Sequence, residues 1–234
     1  MKQESVLEVK NLEFSFHTYG GVVKAVRDVS FDLREGEILG IVGESGCGKS
    51  VTAQCILKLN PEPPGFFGEH SSICFRGEEL VSKTEKEMQA VRGAEIGFIF
   101  QDPMTSLNPT MKIGRQIEEV LKGRKGYSKK EVREKVLKIL EMVGISDAKK
   151  RYKQYPYELS GGMKQRVMIA IALVGNPGIV IADEPTTSLD VTIEASILDL
   201  LKELQKTLHT AIIFITHDLG VIAKLCDRVM VMYG

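Results

Sequence analysis

Short apolar runs recur along the 234-residue chain, each bounded by glycine or charge: "EILGIVG", "IGFIF", "GIVIAD", "AIIFITHD" and "RVMVMY". They do not alternate polar with apolar positions, so they predict strands buried on both faces of a parallel sheet. Amphipathic helical stretches separate several of them, which makes an α/β domain with right-handed crossovers the natural architecture. The N-terminal part differs. "VLEVKNLEFSF" and "AVRDVSFDL" alternate every second residue and predict a smaller antiparallel sheet.

Between "IGFIFQD" and "GIVIAD" the pattern turns helical. "SKKEVREKVLKILEMVG" opens with Ser128 and Glu131 at capping-box spacing, sets Val132, Val136, Ile139, Leu140 and Val143 on one face, and stops at Gly144. It predicts a helical insertion, roughly Arg92 to Tyr157, set into the α/β core. "NPEPPGFFG", Asn60 to Gly68, reads as a Pro/Gly-rich loop rather than a domain linker. The ending "RVMVMYG" reads as a strand interrupted at Gly234, and so predicts a C-terminal extension beyond it.

With 43% hydrophobic residues, a chain of this length buries a real core. Its 31 basic and 31 acidic residues cancel, leaving no net field to draw in nucleic acid or anionic lipid. No apolar run has the length of a membrane span, and "MKQESVLEVK" lacks the apolar block of a secretion signal. The chain therefore reads as cytosolic, with any membrane role exercised through a partner. Cys47, Cys55, Cys74 and Cys226 form no CxxC pair, which argues against a zinc site or disulfide framework and makes most of them small buried hydrophobes, Cys47 in the phosphate loop standing apart.

Gly43-Glu44-Ser45-Gly46-Cys47-Gly48-Lys49-Ser50 fits G-x-x-x-x-G-K-[ST], between the strand "EILGIV" and the apolar helix "SVTAQCILKL". Glycines let successive N–H groups turn toward phosphates; Lys49 brings a mobile positive charge to the β and γ groups, and the Ser50 hydroxyl suits Mg²⁺. "GIVIADEP" delivers Asp183 and Glu184 to the C-terminal end of a strand, where ligands sit in open α/β sheets. Asp183 suits the Mg²⁺ shell, and Glu184 suits a water to be oriented or deprotonated. Three residues carry two readings each. His217 is a structural residue or a contact to the γ-phosphate; Gln101 caps its strand or senses metal and water; Cys47 is a reactive thiol at a positive helix end or a small residue that fits. A second phosphate gripper stands far downstream: Ser160-Gly161-Gly162 of "ELSGGMKQR", leading another apolar helix.

In this order, Gly43 to Ser50, Gln101, Ser160 to Gly162, Asp183-Glu184, Ser188-Leu189-Asp190 and His217 closely resemble the ATP-binding subunit of ABC transporters, over nearly the whole chain. The resemblance implies a P-loop NTPase core with an N-terminal antiparallel β subdomain and an α-helical insertion, working with ATP and Mg²⁺. In that family two ATPase domains pack head to tail, and the "LSGG" helix of one reaches the ATP on the other's loop; the second gripper thus serves the neighbour. The resemblance places Gly43 to Val51 around ATP, and Ser50, Gln101 and Asp183 at Mg²⁺. It makes Glu184 the catalytic base, His217 the switch holding the γ-phosphate, Gln101 the sensor relaying to the membrane, and Asp190 a contact across the dimer. Adenine stacks on an aromatic residue of the N-terminal sheet: Phe16 holds the matching position, Tyr19 is a second candidate, and Phe16 reads equally as core of that sheet.

"FIFQDPMTSLNPTMKIGRQIEE", "PEPPG" and "ELSGGMKQRVMIAIAL" resemble the branch that drives uptake of dipeptides, oligopeptides and, in close cousins, nickel. This implies two transmembrane permease subunits, a second ATPase subunit, identical or paralogous, and indirectly an extracytoplasmic substrate-binding protein. It implies a place at the cytoplasmic face of the cell membrane and no nucleic-acid partner. Met104, Leu107 and Met111 lie in the region that receives the permeases' coupling helices, as dock or as core. Two other functions share these motifs: uptake of nickel or another small solute, and a soluble ABC-type ATPase of DNA repair or translation.

Overall fold

The alternating N-terminal stretch folds into a long hairpin, in which β1 (Ser5–Thr18) and β2 (Gly21–Arg34) pair antiparallel around Tyr19-Gly20. The computed structural model describes residues 4–122, 126–187 and 189–233; Ser188 and Gly234, invoked above, lie outside the described residues. After the hairpin come β3 (Ile38–Gly43), α1 (Lys49–Ile56), β4 (Gly65–Phe67), β5 (Ser72–Phe75), β6 (Glu78–Glu79) and α2 (Glu85–Val91). β7 (Ile96–Ile99), α3 (Pro103–Ser106), α4 (Ile113–Leu121), α5 (Lys129–Met142), α6 (Ala148–Arg151), a 3₁₀ turn (Pro156–Glu158), α7 (Gly161–Leu173) and β8 (Ile179–Asp183) follow. The last elements are α8 (Val191–Leu208), β9 (Ala211–Thr216), α9 (Leu219–Leu225) and β10 (Arg228–Met232). They gather into two compact units, one holding residues up to 92 and from 211 on, the other residues 93–210.

In the first unit the antiparallel sheet runs β2-β1-β5-β6, with β4 also paired to β1. The predicted alternation is interrupted, since Val6 and Leu7 are both buried, as are Phe14 and Ser15. The cause is the pairing of β1 with β2, whose register shifts several times. Asn11 (φ +47°) and Asp28 (φ +48°) adopt left-handed backbone, which these residue types tolerate, and Asn11 Nδ2 donates to Asp28 Oδ1 at 3.0 Å. The expected loop Asn60 to Gly68 is loop only in its first part. Gly65–Phe67 pairs with Phe14–Phe16 as β4, because Phe67 adds its ring edge-on to the fully buried Phe14 at a centroid distance of 4.9 Å.

The same unit holds the parallel set β10-β3-β9. β3 and β9 are buried throughout apart from half-buried Gly43, as their unbroken apolar runs predict. β10 departs from that expectation: it is the outermost strand, and Val229 and Val231 are exposed. Its anchor is Arg228, whose guanidinium donates to both carboxylate oxygens of Asp32 at 3.1 Å and to Glu37 at 3.1 Å. The bonds from Arg228 hold the Asp32 carboxyl below the usual carboxylate range. A depressed folded value means that the pair stabilises the unit above the unfolded carboxyl value and loses that contribution as pH falls through the folded one. Arg228→Met is therefore expected to be less stable than the parent at neutral pH, with the gap narrowing toward about pH 3. Chemical denaturation across that range checks this; a gap independent of pH would refute the coupling.

In the second unit β7 and β8 pair in parallel, Ile96 opposite Ile179 through Ile99 opposite Ala182. α5 starts at the expected capping box, with Ser128 Oγ accepting from Glu131 N at 3.3 Å and the Glu131 carboxylate accepting from Ser128 N at 2.7 Å. It buries Val136, Ile139 and Leu140. The helical stretch opens at Pro103 rather than at the expected Arg92, because Ile96–Ile99 is committed to β7. All four cysteines are free thiols. Only Cys55 is buried as expected, and burial pushes its thiol up to about 12; Cys47, Cys74 and Cys226 are half-buried.

Candidate nucleotide site

In the first unit β3 carries the chain to Gly43, and the loop from Glu44 to Gly48 turns it into α1. The turn needs glycine: Gly46 has φ +85° and Gly48 φ +93°, and a Cβ on Gly48 would lie 2.4 Å from the Ala25 carbonyl oxygen. Glu44, Ser45 and Gly46 are exposed, Cys47, Gly48, Ser50 and Val51 half-buried, and Lys49 buried. Lys49 Nζ donates to the loop carbonyls of Gly43 at 2.7 Å and Glu44 at 2.8 Å, so the charge is held over the loop. α1 begins at Gly48 with no side-chain cap, leaving its positive end to whatever anion the loop takes. This donor set fits a nucleotide's phosphates. The Cys47 thiol lies 3.9 Å from Lys49 Nζ.

Of the two aromatic candidates, Phe16 is half-buried and edge-on to Phe14, at a centroid distance of 5.1 Å. Tyr19, at the hairpin turn, has its side chain fully in solvent. His217 is exposed and stands between Thr216, the last residue of β9, and Asp218, the N-cap of α9.

The second unit brings together Gln101, Asp183 and Glu184. Asp183 ends β8 and is 5% exposed. Glu184 follows in left-handed backbone, φ +46°. Its Oε2 accepts from Gln101 Nε2 at 3.0 Å and from Thr187 Oγ1 at 2.9 Å. Mg²⁺ keeps most of its water and takes few protein ligands; the Asp183 carboxylate, the Gln101 amide and the Ser50 hydroxyl are each of a type that suits it.

Ser160 caps α7, its Oγ accepting from Met163 N at 3.4 Å. Gly161 is exposed and has open space around it; Gly162 is buried, and a Cβ there would come within 3.1 Å of Ile193. Asp190 caps α8, accepting from Thr192 N at 3.1 Å and Ile193 N at 3.0 Å. The three apolar residues grouped as dock or core separate: Leu107 is core at 2% exposure, Met111 is half-buried and Met104 is exposed. Sequence reasoning missed Thr187 and Gln165. No periodic signal marks Gln165, which sits within the polar run Lys164-Gln165-Arg166 of α7.

A glycine-turned loop between a buried parallel strand and an uncapped helix, with its lysine folded over it, defines a P-loop nucleotide-binding protein. The family model for the ABC transporter matches residues 26–187, and the chain belongs to that family. It is 61% identical to the oligopeptide transport ATP-binding protein OppD of Bacillus subtilis (strain 168), covering 98% of this chain and 64% of that protein. It is 56% identical to the dipeptide transport ATP-binding protein DppD of the same organism, covering 99% of this chain and 69% of that one. The chain thus spans about two thirds of the length of these relatives. A solved dimer described as a post-hydrolysis state of an ATP-binding cassette, bound to ADP and Pi, matches with TM-score 0.83 and 29% identity, over 97% of this chain and 94% of that one.

Proposed function

We propose that the chain is the ATP-hydrolysing subunit of an ABC importer for di- or oligopeptides. The observation that carries the importer reading is the 61% identity over nearly the whole chain to an oligopeptide transport ATP-binding protein. The reading takes residues 1–234 as one ATP-binding domain with a helical subdomain set within it, opening at Pro103. Lys49 neutralises the β and γ phosphates, and Tyr19, the freer of the two aromatic rings, is favoured over Phe16 for stacking on adenine. Ser50, Gln101 and Asp183 hold Mg²⁺, which when bound supplies charge neutralisation at the transferring phosphoryl group.

Glu184 orients the attacking water and takes its proton; Gln101 and Thr187 fix the direction of that carboxylate. His217 contacts the γ-phosphate. Ser160, Gly161 and Gly162 present an amide-rich helix start to the ATP of a second ATPase subunit, head to tail, and Asp190 meets that subunit. Because both subunits grip each ATP, hydrolysis releases them, and this difference in affinity drives two permease subunits served by an extracytoplasmic binding protein. Among the described residues no helix is long and apolar enough to cross a membrane, which suits attachment at the cytoplasmic face through the permeases.

Affinity capture of the complete protein from detergent-solubilised native membranes, read by mass spectrometry, is expected to recover two multi-span permeases and an ATPase. Recovery of soluble partners alone, with the protein absent from membranes, would move the function to the soluble ABC-type ATPases. A permease pair whose binding protein takes nickel would correct the cargo and leave the rest standing.

A further inference from the structure

Gln165 is a buried amide that packing does not explain. It lies on α7 within a turn of Gly161-Gly162 and is 1% exposed. Its Nε2 donates to the Pro185 carbonyl at 2.5 Å, while its Oε1 is buried with no hydrogen-bond partner among the described residues. A half-satisfied amide is worse for a core than an apolar side chain of the same volume, so methionine or leucine would pack this place better.

The bond from its side chain falls directly beside the proposed base. Pro185 follows Glu184, whose positive φ is a backbone setting that a non-glycine residue keeps only when its surroundings impose it. The carbonyl of Glu184 is held by Thr187 N at 3.2 Å, and its carboxylate by Gln101 and Thr187. The carbonyl of Pro185 is the next polar group along, and Gln165 holds it. One residue earlier on α7, the buried Lys164 directs Nζ to Met104 Sδ at 2.9 Å, three residues beyond Gln101. Adjacent residues of α7 therefore reach the segments that follow Gln101 and Glu184.

We propose that Gln165 is a positioning residue of the hydrolytic site: by fixing the Pro185 carbonyl it keeps the Glu184 backbone in its left-handed setting and the carboxylate on Gln101. This rests on the reading of Glu184 as the base. It gives the helix led by Ser160 a second duty, as the support under the catalytic carboxylate of its own chain.

Gln165→Met keeps the volume and removes both the donor and the unpaired oxygen. In the full chain its kcat for ATP hydrolysis is expected to fall about 10- to 100-fold, the order of loss that a misplacement of about 1 Å causes. KM should move by less than about twofold, and Tm should stay close to that of the parent, because relief of the unpaired Oε1 offsets the loss of a donor to the buried Pro185 carbonyl. Turnover at the parent rate would overturn the inference, as would a fall in kcat accompanied by a fall in Tm, which is the mark of a structural role only. Glu184→Gln measured alongside separates the two levels. If it is inactive while Gln165→Met turns over normally, only the positioning role fails; if it hydrolyses ATP at the parent rate, the base assignment fails and the positioning role with it.

Discussion

Replacing Glu184 by glutamine is expected to reduce ATP hydrolysis by about 10²- to 10⁴-fold, the range typical for loss of a general base, while ATP affinity stays within about threefold. The substitution is close to isosteric. The amide oxygen can still accept from Gln101 Nε2 and Thr187 Oγ1, so the turn after β8 keeps its hydrogen bonds and the left-handed backbone its support. What is lost is the negative charge and, with it, the proposed ability to take a proton from water. The variant should therefore bind ATP and accumulate as the ATP-bound dimer. Single-turnover hydrolysis together with size-exclusion chromatography in ATP measures both effects. Hydrolysis at the parent rate would remove Glu184 from its role.

Gly48→Ala is expected to disable the other end of the reaction, nucleotide binding. A Cβ at this position meets the Ala25 carbonyl oxygen at 2.4 Å, and that oxygen belongs to the backbone of β2, where no side-chain rotation can relieve the contact. The backbone itself, at φ +93°, is also unfavourable for alanine. The loop must shift, and Lys49, the next residue, shifts with it. A stability loss of about 2–4 kcal/mol is expected from strain and overpacking together. ATP affinity should drop at least about tenfold, since the charge and the amides of the loop act only when aligned. Denaturant titration and nucleotide titration read the two effects; a variant that binds ATP as tightly as the parent would show that the loop tolerates the displacement.

The phosphate loop, the Asp183-Glu184 strand end and the Ser160 helix start were legible because each is a contiguous stretch whose chemistry depends on neighbours within a few residues. The capping box of α5 was legible for the same reason. What escaped depends on partners far along the chain. β4 is a strand only because Phe67 finds Phe14, 53 positions away by subtraction of their residue numbers. The exposure of Val229 and Val231 follows from β10 lying outermost, which no local pattern in "RVMVMY" encodes. Leu107 and Met104 look alike in the sequence, and only packing makes one core and the other surface. Gln165 was hidden because its partner is a carbonyl, and any residue at position 185 would have supplied one.

The discontinuity of the first unit carries a consequence for synthesis. β3 has its parallel partners in β9 and β10, which follow it by well over 150 residues, while β7 and β8 of the second unit lie within one continuous stretch. On a ribosome the second unit can assemble its strand pair as soon as residue 183 has emerged, whereas β3 waits for residues 211–232 before any parallel neighbour exists. The loop after β3, closed on one side by Met232 against Gly43, stays unformed over that interval. A nascent chain whose synthesis has not reached β9 and β10 thus lacks the strands that flank β3 and frame the phosphate loop.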